Sequence, residues 1–481
     1  RILRLQISIG MMDPYRYSGQ RNSAEHRAAA LQIAHEGITL LKNSNKVLPL
    51  DRSEIRNILM IGPNVHREHA MGGGSSQVKA LYEITPHQGI AEKVGEGVEI
   101  TTMSARGSSL SPIAGVYLAT KHWTGTPTWE VDHFADAGRS QHIAHSVISD
   151  SAYRVTKEDV PEHLTFKATI APLESGAHEL KVNAAGTFSL DIDGSREFDF
   201  NSESSVTKAR TLELEAGRQY EFEIRYSGAG HFTLGWDAPS DLFTPEEEYL
   251  AAAREADAVI FVGGLSHDDD REAVDRLNLK LPGGQDEVIS KLLEANDNTV
   301  ILLMGGSPVE MPWIDQAPTV VWGWYGGMEG GRAYADVLFG DVNPSGKLPI
   351  TMPVRLEDSA PIALDDYGPD VANYPEGVFI GYRWYQKQGI EPLFPFGHGL
   401  SYTSFEYFGL EISASAEAET VANVTATITN TGDRAGAEIV QLYLNDVEAS
   451  VERPAKELKG FVKVYLEPCL LYTSPSPRDE D

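Results

Sequence analysis

Residues 257–306 read DAVIFVGGLSHDDDREAVDRLNLKLPGGQDEVISKLLEANDNTVILLMGG, and this stretch indicates the architecture of the chain. Two continuous apolar runs, at 257–264 and 299–306, enclose an acidic segment and a helix pattern at 283–296. Continuous apolar runs are typical of parallel strands that are buried on both faces of a sheet. Because a helix lies between two such strands, the stretch predicts a doubly wound, mostly parallel α/β sheet.

The same alternation of helices and apolar strands continues on both sides of this stretch. The further patterns are a helix at 22–36, the strands GITLLKN (37–43), NILMIG (57–62) and TVVWGWYG (319–326), and a helix at 329–340. We therefore predict one α/β sandwich domain in two parts, residues 22–102 and 244–355.

The region between these two parts, residues 103–243, has a different pattern. Segments such as LTFKATI (164–170) and RQYEFEIRY (218–226) alternate apolar with polar residues, and glycine-containing turns separate them. Such alternation predicts antiparallel strands with one buried face. Because α/β patterns stand on both sides, the region is predicted to be an antiparallel β-sandwich inserted into the α/β domain.

The C-terminal part of the chain predicts a third domain. Residues 356–403 form a wrapping linker, and residues 404–468 alternate again like the strands of a β-sandwich, with a predicted hairpin that turns at 430–432. The last residues, CLLYTSPSPRDED (469–481), differ in character from the strand before them. We interpret them as a non-native tail without a strand partner, and we expect the sandwich to be incomplete, with an exposed edge.

Composition excludes two broad classes of partner. The formal net charge of −30 argues against nucleic acid, and no run approaches the ~18 consecutive apolar residues that a membrane span needs. A neutral ligand such as a sugar is compatible with this charge, which also favours a periplasmic or secreted protein over a cytoplasmic one. The chain has one cysteine, Cys469, and therefore no intrachain disulfide. The sequence does not indicate an oligomeric state.

The acidic segment carries five carboxylates within residues 268–275. It follows a strand, and in an open parallel sheet ligands bind beyond the carboxyl ends of the strands. A calcium loop of the EF-hand type needs a glycine that is missing here, so no metal is predicted. Two interpretations remain: a solvated loop beside a helix N-terminus, or a site in which one carboxylate raises the pKa of another and keeps it protonated.

The motif GL-x6-E-x-x-DR followed by LPG-x-Q-x-E, which runs from Gly264 to Glu287, resembles the family-3 glycoside hydrolases of the β-glucosidase group. Other blocks across nearly the whole chain share the resemblance; they are EGITLLKNSNKVLPL (36–50), GGGSSQV (72–78), LFGDVNPSGKLPITMP (338–353), YPEGVFIGYRWYQKQGIEPLFPFGHGLSYTSF (374–405) and ELKGF (457–461). The resemblance implies an α/β sandwich followed by a fibronectin type III-like β-sandwich. It also implies that the insert is a protective-antigen-type sugar-binding domain.

The resemblance implies a role for Glu272, which matches the general acid/base of the family three residues before the Asp-Arg pair. Asp270 is the alternative, because related sequences often carry Glu at its position. Two local features bear on this assignment: Ala273 stands where the family usually has glycine, and Arg271 beside Glu272 would lower the pKa of a neighbouring carboxyl.

A retaining glycosidase needs a second carboxylate, about 5–5.5 Å from the first, as nucleophile. In the family this is an Asp of an N-terminal (β/α)8 barrel. Residues 1–21 are expected to be a linker and a remnant of that barrel. The expectation is therefore a fragment that carries the acid/base without the nucleophile and is inactive by itself.

Several other residues are candidates for binding substrate. Gly74, Ser75 and Ser76 form a glycine-rich loop that lacks a phosphate-binding motif; the resemblance implies a loop at the mouth of the site, and the alternative is a flexible turn. Trp123 in the insert could stack on a sugar ring. Trp236 alternates with core residues and is predicted to be buried. Trp322, Trp324 and Tyr325 lie at or just past a strand; they could face a sugar ring, but buried packing is the favoured interpretation.

The sequence thus predicts an exo-acting β-glucosidase portion that acts with retention on β-linked oligosaccharides or aryl β-glycosides. No cofactor is implied. Three alternatives remain open. One is a non-catalytic carbohydrate-binding protein that works through its insert, and another is a β-xylosidase or other exo-glycosidase of the same family. The last, a nucleotide-binding doubly wound domain, is disfavoured because phosphate-binding motifs are missing.

Overall fold

The computed structural model describes most of the chain. The described residues are 1–15, 21–69, 80–105, 113, 118–119, 129–148, 151–154, 162–172, 174–228, 230–237, 244–267, 269–270, 276, 278–367, 371–414, 422–469 and 471–475. No helix within these ranges is both long and apolar enough to cross a membrane.

The α/β domain is built from two separate parts of the chain. Its first part contains α1 (Ile2–Ser8), α2 (Ala24–Gly37), β1 (Thr39–Asn43), β2 (Asn57–Ile61), α3 (Pro86–Val94) and β3 (Glu99–Met103). A run of strands lies between the two parts of the chain. These strands are β4 (Leu118–Ala119), β5 (Trp129–Phe134), β6 (His142–Ile148), β7 (Ala152–Arg154), β8 (Glu162–Ile170), β9 (Gly176–Ile192), β10 (Ser195–Leu214), β11 (Tyr220–Gly228) and β12 (His231–Asp237). The second part contains α4 (Glu246–Glu255), β13 (Ala258–Gly264), α5 (Gln285–Ala295), β14 (Thr299–Met304), β15 (Thr319–Trp322) and α6 (Gly330–Leu338), followed by α7 (Ala360–Ala363) and α8 (Tyr382–Gln388).

Strands from both parts form one six-stranded sheet in the order β1-β15-β14-β13-β2-β3. Every residue of β13, β14 and β15 is buried, as expected for strands covered on both faces. Alternate residues of β13 enter two different cores: Val259 and Phe261 pack with α4 and α5, whereas Ile260 and Val262 pack with α2, α3 and α6. The structure therefore confirms the doubly wound α/β sheet.

One strand departs from the expected parallel arrangement. β1 pairs with β15 antiparallel, with Thr39 opposite Trp322, whereas the other pairs in the sheet are parallel. β1 begins two residues after α2 ends, and it lies at the sheet edge. A continuous apolar run is buried equally well in either direction, which explains why the pattern did not reveal this reversal.

The strands β4 to β12 form a separate sheet in which each described pairing is antiparallel. Part of β9 (residues 179–184) pairs with β12, and the rest (187–192) pairs with β11. Between them Gly186 has φ +108°, which favours glycine and lets the strand bend. Trp129 and Trp236 lie in the resulting core, so the prediction that Trp236 is buried is confirmed.

The C-terminal β domain contains β16 (Phe405–Ala414), β17 (Ala422–Asn430), β18 (Gly436–Leu444), β19 (Glu457–Leu466) and β20 (Leu471–Pro475). The predicted hairpin at 430–432 is wrong, because β17 pairs with β16 and β20 whereas β18 pairs with β19. The chain crosses between two sheets at Asn430, which is buried and donates to the carbonyl oxygens of Arg434 and Leu466. This crossing lets both sheets bury apolar side chains, including Ile428 and Val464, in one small core.

The C-terminal residues also differ from expectation, because part of the segment interpreted as a tail forms a strand. β20 pairs with β17 antiparallel, with Leu471 opposite Thr429. The unpaired edge of β17 offers backbone donors and acceptors to any extended segment that reaches it. The expectation that residues 469–481 lack a strand partner is therefore wrong for 471–475.

Candidate active site

The candidate site lies at the carboxyl edge of the six-stranded sheet, where the strand order reverses between β2 and β13. The loops that follow these two strands are joined by Asn64, which is buried. Its side-chain amide donates to the carbonyl oxygens of Gly263 (2.9 Å) and Leu265 (3.1 Å), and its backbone N–H donates to Val262. Ligands of doubly wound proteins bind in the crevice at such a reversal.

Gln285 fixes the point at which the chain leaves β13. Its side-chain oxygen accepts from the backbone N–H of Gly264 (2.7 Å), and its side-chain nitrogen donates to the Gly264 carbonyl oxygen (2.8 Å). Gly264 has φ +103°, and a Cβ there would collide with the Met304 carbonyl oxygen. The glycine of the GL motif and the glutamine of LPG-x-Q are therefore two halves of one structural element.

Asp270 is the one member of the predicted catalytic pair that the structure describes, and it is firmly held. The Gly306 backbone N–H (2.7 Å) and the Tyr325 hydroxyl (3.2 Å) donate to Oδ2, while the Ser307 hydroxyl donates to Oδ1 (2.9 Å). These donors come from the loops after β14 and β15. Asp270 thus ties the loop after β13 to its two neighbours along the sheet edge.

Arg276, which directly follows the acidic segment in the sequence, also binds Ser307. Its Nη2 atom donates to the Ser307 hydroxyl oxygen (3.1 Å) and to the Pro308 carbonyl oxygen (2.5 Å). Burial lowers the pKa of Arg276, and the nearby charge of Asp270 opposes that shift. The guanidinium therefore keeps its charge beside a carboxylate that favours it.

Two histidines pack beside Tyr325. The His267 ring lies 4.6 Å from the Tyr325 ring, centroid to centroid, and His267 Nε2 donates to the His69 carbonyl oxygen over 2.6 Å. The His69 ring is 5.5 Å from Tyr325, and His69 is only 6% exposed. In the part of the chain that the structure describes, neither ring nitrogen of His69 has a hydrogen-bond partner. Burial, followed by the charges of Arg67 and His267, lowers the pKa of His69 to about 3, so the ring is neutral at physiological pH.

Tyr325 stays protonated for a related reason. Burial raises the pKa of its hydroxyl well above the ordinary value, and the charge of Asp270 raises it further. The hydroxyl therefore remains a hydrogen-bond donor to Asp270 at any pH near neutrality. The Tyr325 hydroxyl binds Asp270, and the Tyr325 ring packs on His267. These contacts favour a packing role for Tyr325 over stacking on a sugar ring.

The other predicted site residues lie outside the described residues. These are Glu272, Gly74, Ser75, Ser76 and Trp123. Trp322 is buried and Trp324 is partly buried, with its ring nitrogen 3.3 Å from the Thr39 hydroxyl, which fits the predicted packing role. Within the described ranges, no group of three or more His, Cys, Asp or Glu side chains could hold a metal ion.

Sequence reasoning missed Ser307 and His69. Ser307 lies three residues beyond the end of β14, at the same sheet edge as the acidic segment. A survey of the residues directly after each apolar strand could have found its position. His69 gave no signal, because its burial depends on the rings of His267 and Tyr325, which are remote in sequence.

Family models match most of the chain. The model described as "Glycosyl hydrolase family 3 C-terminal domain" matches residues 38–402. The model described as "Fibronectin type III-like domain" matches residues 438–469. Together the two matches include both parts of the six-stranded sheet, most of β18 and all of β19.

Curated relatives agree with these matches. "Probable beta-glucosidase I" of Aspergillus oryzae is 33% identical over 489 aligned residues, which cover 93% of this chain and 57% of that protein. The protein with the same description from Emericella nidulans is 35% identical, with coverage of 93% and 57%. The chain thus spans less than two thirds of the length of these relatives.

Solved structures with the same fold are also β-glucosidases. DesR, a β-glucosidase from Streptomyces venezuelae in complex with D-glucose, has a TM-score of 0.68 and 28% identity, covering 99% of this chain and 58% of that one. The β-glucosidase of Kluyveromyces marxianus in complex with glucose has a TM-score of 0.65 and 29% identity, with coverage of 98% and 60%.

Proposed function

Because the chain belongs to glycoside hydrolase family 3, we propose that it supplies the acid/base side of an exo-acting β-glucosidase site. In this proposal Glu272 is the general acid/base, and Asp270 is an anchoring carboxylate. The substrates are β-linked oligosaccharides or aryl β-glycosides with a terminal glucose. The net charge of −30 supports a periplasmic or secreted location.

The observation that carries the proposal is the arrangement of Asp270 and Arg276 around one serine. Glu272 stands between these two residues in the sequence, and both of their side chains bind Ser307 at the carboxyl edge of the sheet. A general acid must be delivered to a fixed position within hydrogen-bond reach of the leaving oxygen. The contacts of Asp270 and Arg276 with Ser307, on either side of Glu272 in the sequence, support this role for Glu272.

Asp270 is less suited than Glu272 to act as the acid. Three donors already point at its two oxygens, from Gly306, Ser307 and Tyr325. An ionised carboxylate only accepts hydrogen bonds, and a group engaged in this way would have to give up these bonds to deliver a proton. We therefore propose that Asp270 anchors the loop after β13 and that Glu272 is the general acid/base.

The reaction proceeds in two steps with retention of configuration. In the first, a carboxylate nucleophile attacks the anomeric carbon while Glu272 transfers its proton to the departing glycosidic oxygen. In the second, the Glu272 carboxylate takes a proton from water as that water attacks the glycosyl-enzyme. We propose that the nucleophile belongs to a part of the relatives that this chain does not cover.

The insert is a second candidate for contact with carbohydrate. Its core is formed from Trp129, Trp236 and other buried aromatic residues, so these side chains are occupied in packing. We propose a protective-antigen-type domain that borders the substrate through Trp123, while Gly74, Ser75 and Ser76 of the α/β domain border the mouth of the site. Loss of sugar binding on removal of the insert alone would favour this task.

Hydrolysis of nitrophenyl β-glucoside, β-xyloside and β-galactoside tests the proposal. We expect no turnover by this chain alone. A protein in which this chain is joined after the part of the Kluyveromyces marxianus β-glucosidase that precedes the aligned residues, hereafter the fusion, should hydrolyse the glucoside. Glu272→Gln should abolish that turnover. Turnover by the isolated chain that Glu272→Gln abolishes would mean that the nucleophile lies within these residues, and a fusion that prefers the xyloside would make the activity that of a β-xylosidase.

A further inference from the structure

Ser307 makes two hydrogen bonds with one hydroxyl group. The hydroxyl donates to Asp270 Oδ1 over 2.9 Å and accepts from Arg276 Nη2 over 3.1 Å. A hydroxyl has one donor and two acceptor positions, so it can bridge a carboxylate and a guanidinium in this way. The residue before segment 271–275 and the residue after it are therefore joined through Ser307.

The backbone on either side of Ser307 completes the bridge. The Gly306 N–H donates to Asp270 Oδ2 (2.7 Å), and the Pro308 carbonyl oxygen accepts from Arg276 (2.5 Å). A Cβ on Gly306 would lie 2.9 Å from Asp270 Oδ2, so a side chain at this position would push the carboxylate away. Residues 306–308 thus hold Asp270 with a donor and Arg276 with an acceptor.

The bridge is partly shielded from water, because the side chains of Asp270, Arg276 and Ser307 are half-buried while Gly306 is exposed. Burial lowers the pKa of Arg276, which indicates a guanidinium that has lost much of its hydration. Tyr325 covers the Asp270 side, because its hydroxyl binds Oδ2 and its ring packs on His267. Hydrogen bonds to charged groups in such surroundings are stronger than the same bonds at an exposed surface.

We infer that Ser307 is a positioning residue for the acid/base. By binding Asp270 and Arg276 at the same time, it sets the separation between these two residues, which flank the segment that carries Glu272 in the sequence. The kinetic consequences rest on the proposed function, because they require that Glu272 carries the proton. Ser307 makes no contact with the reacting atoms in this account.

Two substitutions separate the hydroxyl from the rest of the side chain. Ser307→Ala removes both hydrogen bonds, whereas Ser307→Thr keeps the hydroxyl on a slightly larger side chain. In the fusion we expect Ser307→Ala to lower kcat by roughly ten- to a hundredfold, since small displacements of a catalytic group have effects of that order. KM should change little, and Ser307→Thr should restore most of the lost rate. Ser290→Ala, which removes one hydroxyl bond to the Asp286 carbonyl on α5, is the matched control.

Hydrogen exchange in this chain itself tests the bridge without any assay of activity. We expect peptides that cover 269–278 to exchange about threefold faster or more in Ser307→Ala than in the wild type, because local opening is easier. Ser307→Thr and Ser290→Ala should match the wild type, and the peptide that covers β14 should be unchanged in all of them. Equal exchange in Ser307→Ala and the wild type, or equal loss in the Thr and Ala variants, would overturn the inference.

The exchange and kinetic results also distinguish this inference from the proposed function. Faster exchange together with a kcat loss that Ser307→Thr rescues supports both. If Glu272→Gln leaves the fusion fully active, the proposed function fails whatever the exchange data are. If Glu272→Gln abolishes activity while Ser307→Ala alters neither exchange nor kcat, the positioning role is wrong and the proposed function stands.

Discussion

The backbone N–H of Thr244 donates to the carbonyl oxygen of Ser104 over 2.8 Å. These two residues flank the strands β4 to β12, so the chain leaves the α/β domain and returns to it at adjacent points. Ser104 directly follows β3, and Thr244 stands two residues before α4. We propose that the residues between them form an inserted domain whose removal does not separate the two parts of the six-stranded sheet.

Replacement of residues 105–243 by a flexible linker of about six residues should therefore leave the α/β domain folded. Closing a six-residue loop costs roughly 2 kcal/mol, and the core residues on both faces of the sheet, apart from Ala105, come from outside the replaced residues. The far-ultraviolet circular dichroism of the shortened chain should show one cooperative thermal transition. A gradual loss of signal would show that the α/β domain depends on the insert.

Gln285→Ala should destabilise the α/β domain by about 2–4 kcal/mol. The substitution leaves the backbone N–H and carbonyl oxygen of Gly264 buried without the side-chain amide that binds both, and unsatisfied buried polar groups carry penalties of this order. Urea unfolding measures the change. Gln32→Ala is the matched control, because Gln32 is exposed and its side-chain amide donates to Glu36 at the surface. Equal effects of the two substitutions would contradict the assigned role of Gln285.

His69 should make the stability of the chain sensitive to acid. Its pKa is about 3 in the folded chain against an ordinary value of 6.5, so the unfolded chain binds a proton that the folded chain does not. The stability contribution is complete above pH 6.5 and is lost as the pH falls toward 3. Relative to His69→Phe, the wild type should lose about 3 kcal/mol of unfolding free energy between pH 6.5 and pH 4. A difference that stays constant with pH would contradict this.

Asp286 should act in the opposite direction. Burial raises its pKa above the ordinary 3.8, although a hydrogen bond from Trp313 Nε1 (2.8 Å) partly offsets the shift. The folded chain therefore binds this proton more tightly than the unfolded chain, and the stability from protonation is present below pH 3.8 and is lost as the pH rises through the folded pKa. Asp286→Asn should stabilise the chain more at pH 7 than at pH 3.5. An equal effect at both pH values would show that the buried charge carries no penalty.

The sequence predicted the fold where the burial of an element determines its pattern of apolar residues. β13, α5 and β14 follow from their apolar runs and helix pattern, and the insert follows from alternation. The antiparallel direction of β1 and the crossing at Asn430 were not predictable in this way, because alternation and apolar runs report burial and contain no information on which strand is the neighbour. Pairing depends on contacts between residues far apart in the chain.

Only part of the candidate site was predicted, because the sequence pattern does not show which strands are neighbours in the sheet. The acidic segment was found because it follows a strand, and the motif around it led to Glu272 and Asp270. The hydrogen bonds from Ser307 and Tyr325 to Asp270 bring together three loops of the sheet edge. No spacing rule connects these residues, since the order of β13, β14 and β15 in the sheet had to be known first.

Chemical rescue of Glu272→Ala in the fusion tests the central claim most directly. Without its acid/base the enzyme should lose roughly 10²–10⁴-fold in rate on substrates with poor leaving groups, yet it should still form the glycosyl-enzyme from dinitrophenyl β-glucoside, whose leaving group needs no proton. Added azide should then restore turnover and yield β-glucosyl azide, while Asp270→Asn should give no azide product. An unimpaired Glu272→Ala fusion, or rescue of Asp270→Asn instead, would contradict the assignment of Glu272.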